Sequence, residues 1–138
     1  MKTKQELIGN WVLKADNDLK AAQHELSFED DAVTDSVCFH CQQAAEKYIK
    51  AYLIFFDIPF KKTHDIGDLI LLCEARDPEI ALLEDEVDLL ADFGVEVRYP
   101  DNFFIPTLNE AKDAYSLAQK IREYIKTKIG NILSSDHG

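Results

Sequence analysis

The sequence predicts an all-α fold, an up-and-down bundle of four long helices plus one short helix. Three observations predict it. Apolar residues recur at steps of three and four over long stretches, the spacing that gathers them on one face of a helix. No stretch shows the two-residue alternation of a strand with comparable regularity. All four prolines fall between the periodic stretches rather than inside them.

The first helix is expected over about Lys4 to Leu26, where Ile8, Trp11, Ala15, Leu19, Ala22 and Leu26 form the stripe. The polar linker "SFEDDAVTD" follows. The second spans roughly Asp35 to Phe56, with Val37, Cys41, Ala44, Tyr48, Tyr52 and Phe55 on one line. It stops at "DIPF", because Pro59 lacks an amide proton and disfavours helix at the residue before it. The third, the short one, starts near Thr63 and carries "DIGDLILLCEA". Asp65 either orients the imidazole of His64 or, the better reading, helps to cap the helix beside Thr63. In "RDPE", Asp77 is suited to cap a fourth helix with Pro78 in its first position. That helix is expected to reach about Phe93, with Gly94 as a C-terminal cap or with Val95 to Val97 adding a turn. The last helix opens with a capping-box pair, Thr107 and Glu110. Ala111, Ala114, Ala118, Ile121, Ile125, Ile129 and Ile132 carry its stripe for over five turns.

With 138 residues, 46% of them apolar, the chain reads as one domain over 1–138 with a core of its own. No run of about 18 uncharged apolar residues exists to span a membrane. The opening "MKTKQELIGNW" has no apolar segment of the secretory kind. Three cysteines in such a chain fit free thiols in a reducing cytoplasm. The net charge of −11 excludes a surface coated in phosphate-binding cations. Charge is uneven, however. Glu74 to Asp92 holds eight acids and one base, Arg76, whereas Lys47, Lys50, Lys61 and Lys62 form a basic island. Lys120 to Lys128 adds four bases and one acid. A local anion site is compatible with this pattern.

The stretch "CFHCQQAAEKYIK" contains a C-x-x-C. Mid-helix, Cys38 and Cys41 share the apolar face, away from the helix N-terminus that activates redox thiols. Zinc would need two more ligands, and neither a second C-x-x-C nor an H-x-x-x-H exists. The pair reads as two packed thiols, and no metal or cofactor is called for. Beside them His40, Gln43, Lys47 and Lys50 step by three, four and three. This polar ridge is either a solvated face or a lining of donors toward a cleft or a second subunit.

The phrase "CFHCQQAAEKYIKAYL", then "KTHDIGDLILLC", then "VRYPD", resembles the HEPN family, the higher eukaryotes and prokaryotes nucleotide-binding domain. The resemblance runs from "WVLKADNDLKAA" to the last helix. It implies a helical bundle that dimerises. It also implies a place beside a minimal nucleotidyltransferase in a toxin–antitoxin-like module. Catalytic members are metal-independent endoribonucleases marked by an arginine, four to six residues, then a histidine. The chemistry suits the pairing, because a guanidinium holds charge developing on a phosphate and an imidazole moves the proton. Here Arg98 matches the arginine, but Phe103, Phe104 and Ile105 occupy the three histidine positions. The signature is broken, so enzymatic activity does not transfer by motif. His64 or His40 would have to supply the imidazole from another helix. Arg98 itself is either an ion-pair partner of the acidic fourth helix or an anion contact. The expectation is therefore a nucleotide- or RNA-binding homodimer that partners a nucleotidyltransferase, with Arg98, His40, Gln43, Lys47, Lys50 and Lys62 as binding residues. The alternatives are an endoribonuclease acting through Arg98 and His64, and a non-catalytic helical adaptor.

Overall fold

In the computed structural model, which describes residues 2–62, 65–96 and 105–136, five α-helices follow one another. They are α1 (Lys4–Leu26), α2 (Thr34–Phe55), α3 (Ile66–Glu74), α4 (Glu84–Glu96) and α5 (Leu108–Asp136). Two short 3₁₀ segments, Glu29–Asp31 and Pro78–Leu83, join α1 to α2 and α3 to α4. No strand occurs among the described residues. None of the helices described is long and apolar enough to cross a membrane.

The local signals explain most helix ends. Thr3 caps α1 by accepting from the Glu6 amide at 3.1 Å. Asp65 caps α3 by accepting from the Asp68 amide at 3.3 Å. The capping box opens α5 reciprocally. The Thr107 amide donates to Glu110 Oε1 at 3.0 Å, and the Glu110 amide donates to Thr107 Oγ1 at 3.1 Å. α2 ends at Phe55, just before "DIPF", in a left-handed turn at Asp57, φ 59°, two residues ahead of Pro59. There the Ile58 amide reaches back to Leu53 O at 2.9 Å and the Asp57 amide to Ile54 O at 3.0 Å.

Two expectations fail. Gly94 does not cap α4, which continues through it to Glu96, as the alternative with an extra turn anticipated. Pro78–Leu83 is 3₁₀ rather than α, and Asp77 makes no side-chain cap bond. Its carboxylate turns inward instead, accepting from Tyr52 at 2.6 Å and from Tyr124 at 2.7 Å. The buried Tyr52 phenol and the half-buried Tyr124 phenol outcompete the exposed cap because one charged acceptor satisfies both.

The core centres on α2, which packs against all four other helices. Tyr48, Ile49, Tyr52 and Leu53 are buried on α2, Ile121 and Ile125 on α5, and Ile66, Leu69 and Ile70 on α3. Ala15 and Ala22 on α1 meet Ala44 and Ala45 on α2 in the same core, and Ala111, Ala114 and Ala118 join from α5. These small side chains allow close helix approach, while each large apolar chain buried contributes roughly 1.5–3 kcal/mol.

Candidate functional site

Two acids of α1, Asp16 and Asp18, flank its buried Ala15/Leu19 stripe. Each gathers cations from a different side. Asp18 accepts from Lys47 Nζ through Oδ2 and meets His40 Nδ1 at 3.0 Å through Oδ1. His40 and Lys47 lie two turns apart on α2, so the carboxylate bridges them. The ring of Phe39 packs edge-on against the imidazole. Asp16 accepts from the Tyr48 hydroxyl, from Arg122 Nε at 3.2 Å and from Lys126 Nζ at 2.9 Å. Burial works to raise the Asp16 pKa, but the hydrogen bonds from Tyr48, Lys126 and Arg122 outweigh it and hold the carboxyl below its ordinary range.

The polar ridge on α2 is therefore divided. His40 and Lys47 are half-buried beneath α1 and share Asp18. Gln43 is half-buried between them. Lys50 is 6% exposed. Its ammonium lies 3.4 Å from Glu46 and over the rings of Trp11 and Phe60. The basic end of α5 is likewise committed. Arg122 and Lys126 bind Asp16, Lys128 binds Glu79 at 2.8 Å, and Lys120 lies 3.7 Å from Glu86. These cations hold α5 against α1, α4 and the 3₁₀ segment. Arg122 also donates to Glu123 at 2.6 Å, so the cleft of about 410 Å³ between α1 and α5 has its guanidinium already engaged.

Cys38 and Cys41 are fully buried and unbonded. Burial, then Asp35 and Glu110, push the Cys38 thiol up to about 12, and Cys41 rises for the same first reason. Such thiols are poor nucleophiles and poor metal ligands. No cluster of three or more His, Cys, Asp or Glu side chains suited to a metal occurs among the described residues.

A hollow with two exposed lysines at its edge lies elsewhere, where the α2–α3 connection folds over α3. Pro59, Phe60, Lys61, Lys62, Asp68, Leu69 and Leu72 line a hollow of about 460 Å³. That size falls in the range of about 300–1,000 Å³ usual for small-molecule sites. Its wall is mostly apolar and aromatic. Lys61 and Lys62 stand exposed at it, and neither ammonium pairs with a carboxylate among the described residues. Phe60 contributes an aromatic ring to the wall, and the two lysines contribute positive charge. Lys62 was legible from the basic island; Lys61 was legible only as part of it, and Phe60 and Leu72 carried no polar signal. His64 and Arg98 lie outside the described residues.

The comparisons agree with this architecture. Residues 8–128 match the HEPN domain. A crystal structure of TT1696 from Thermus thermophilus is similar at 29% identity and a TM-score of 0.71, covering 88% of this chain and 97% of its own. The crystal structure of ST0689, an archaeal HEPN homologue, is similar at 27% identity and a TM-score of 0.72, covering 94% and 99%. No curated protein matches significantly. With the domain match extending over most of its length, the chain belongs to the HEPN domain family.

Proposed function

We propose that this HEPN domain protein binds a nucleotide or an RNA phosphate in the α2–α3 hollow. It does so as a homodimer that partners a minimal nucleotidyltransferase in a toxin–antitoxin-like module. The observation that carries the binding reading is that Lys61 and Lys62, which meet no carboxylate among the described residues, stand beside an apolar hollow with Phe60 in its wall. Cations of the α2 ridge and of α5 are already neutralised: Lys47 by Asp18, Lys50 by Glu46, Arg122 and Lys126 by Asp16. An incoming phosphate at the hollow displaces no carboxylate, so its charge is met without breaking an existing pair. In titration calorimetry with adenosine monophosphate, Lys61→Glu/Lys62→Glu should weaken binding by at least about tenfold, since each position changes from attraction to repulsion. Affinity equal to the parent would remove the hollow from consideration.

One arrangement favours the endoribonuclease alternative. Asp18 holds the Nδ1 side of His40, which leaves Nε2 for proton transfer, with Lys47 on the same carboxylate. On this reading His40, not His64, supplies the imidazole. Cleavage of single-stranded RNA in EDTA that is lost in His40→Ala would support it, and no cleavage by the parent protein would exclude it.

A further inference from the structure

The two flanks of α3 differ. Leu72 borders the lysine hollow, while Leu71 turns to a separate groove of about 290 Å³ between α3 and α4. Gly67, Ile70 and Leu71 form its α3 side, and Glu84 and Asp88 its α4 side, with Asp68 at the margin. A Cβ on Gly67 would stand 3.2 Å from Asp65 Oδ1 and 4.0 Å from Asp88 Oδ1, so the bare backbone keeps that end open.

The groove has an apolar floor and acidic walls. None of Asp68, Glu84 and Asp88 meets a cation among the described residues. Acids crowd one another at the far end. The carboxyl of Glu84, together with burial, raises the pKa of Glu74, one turn beyond Leu71. The Glu74 Oε1 atom is shielded from solvent and receives no hydrogen bond. Exposed leucines stand on both helices, Leu71 in the groove and Leu89 beside its wall residue Asp88 in sequence. Leu71 is 57% exposed and Leu89, the residue after Asp88, is 51% exposed. The wider surroundings reinforce the sign, with eight acids and one base from Glu74 to Asp92.

We infer that this groove docks a basic amphipathic helix of a partner protein. A lysine or arginine stem lies along Ile70 and Leu71, and its cationic head sits among Asp68, Glu84 and Asp88. Apolar residues of the same helix cover Leu71 and Leu89. Charge selects this occupant. A nucleic acid or an anionic surface is repelled, and two copies of the groove placed face to face would oppose carboxylates. A free polyamine matches the charge but leaves both leucines in water. The inference does not rest on the nucleotide reading: Asp68 borders both hollows, but Ile70, Leu71, Glu84 and Asp88 line only this one.

The test is a fluorescence-anisotropy titration of the whole protein with an amphipathic Leu/Lys peptide of roughly 14 residues, near the minimum length for an isolated helix. A Leu/Glu peptide of the same pattern and a Lys-only peptide serve as comparisons. The Leu/Lys peptide should bind saturably, more tightly than both others. Glu84→Lys/Asp88→Lys and, separately, Leu71→Ser/Leu89→Ser should each weaken it by at least about tenfold. Bound peptide should also slow amide exchange in residues 66–74 and 84–90 of the parent, a readout independent of any variant's folding. Equal binding by the variants, equal binding of the Lys-only peptide, or no protection at those residues would overturn the inference. So would displacement of the peptide by stoichiometric spermidine, or self-association of the protein that the same substitutions abolish.

Discussion

Asp77→Ala should destabilise the protein by about 3 kcal/mol, the largest loss expected of any single polar substitution in this fold. Asp77 is 8% exposed, and it is the shared acceptor for Tyr52, 1% exposed, and Tyr124. A hydrogen bond to a charged acceptor is worth about 1.5–3 kcal/mol, and leaving a buried hydroxyl unpaired adds its own desolvation penalty. The consequence reaches beyond the two phenols. Asp77 opens the Pro78–Leu83 segment, so its carboxylate ties that segment to α2 and α5 and holds Ile80 and Leu83 in the core. Thermal unfolding should show a midpoint lower by about 10 °C. Asp77→Asn, which keeps an acceptor, should lose less. The double variant Asp77→Ala/Tyr52→Phe should lose less than the sum of its parts, because the phenol that Asp77→Ala strands is then gone. A midpoint within a degree of the parent for Asp77→Ala would show that the two phenols are satisfied without it.

The second large effect is at Asp16, and it carries a pH signature. Asp16→Ala strands the fully buried Tyr48 hydroxyl and leaves Arg122 and Lys126 facing each other without their common carboxylate. Both cations are about one-third exposed, so water screens most of their repulsion and the phenol dominates the loss. The expected cost is about 2 kcal/mol at neutral pH. The folded protein holds the Asp16 pKa below its ordinary value. A depressed carboxylate contributes stability that is present above the unfolded-state pKa and is lost as pH falls through the folded one. The difference between parent and Asp16→Ala, measured by urea unfolding, should be full at pH 7. It should shrink as pH falls below about 4. A gap that stayed constant to pH 2 would contradict the assignment of that stability to an ionised Asp16.

How much of this was legible in the sequence follows from what each signal depends on. Helix existence depends on local periodicity, and α1 runs over the residues that its stripe marked. The capping pair Thr107/Glu110 and the cap at Asp65 are also local, since donor and acceptor sit three residues apart. Asp77 had the same local credentials and did otherwise, because Tyr52 and Tyr124 lie 25 and 47 positions away and no spacing rule reports on them. Gly94 was a plausible stop, yet α4 runs on through it to Glu96. The polar ridge of α2 shows the same limit. Its spacing was correct, but whether water, a cleft or α1 faces it depends on how α1 packs. Asp16 and Asp18 stood in plain view beside Ala15 and Leu19. An acid adjacent to a buried position is a signal that it will need a cation, though not which one. The lysine hollow was legible only in its charge, because its apolar wall comes from the α2–α3 connection and from α3 together.

The central claim is that nucleotide phosphate is met at the α2–α3 hollow. A nitrogen-15 amide shift map of the protein titrated with adenosine monophosphate tests it most directly. Saturable shifts should cluster on Phe60, Lys61, Lys62 and Asp68 to Leu72, with residues 16–23 and 115–122 of the α1/α5 cleft unmoved. Shifts confined to that cleft, or to the His40 and Lys47 surface, would contradict it.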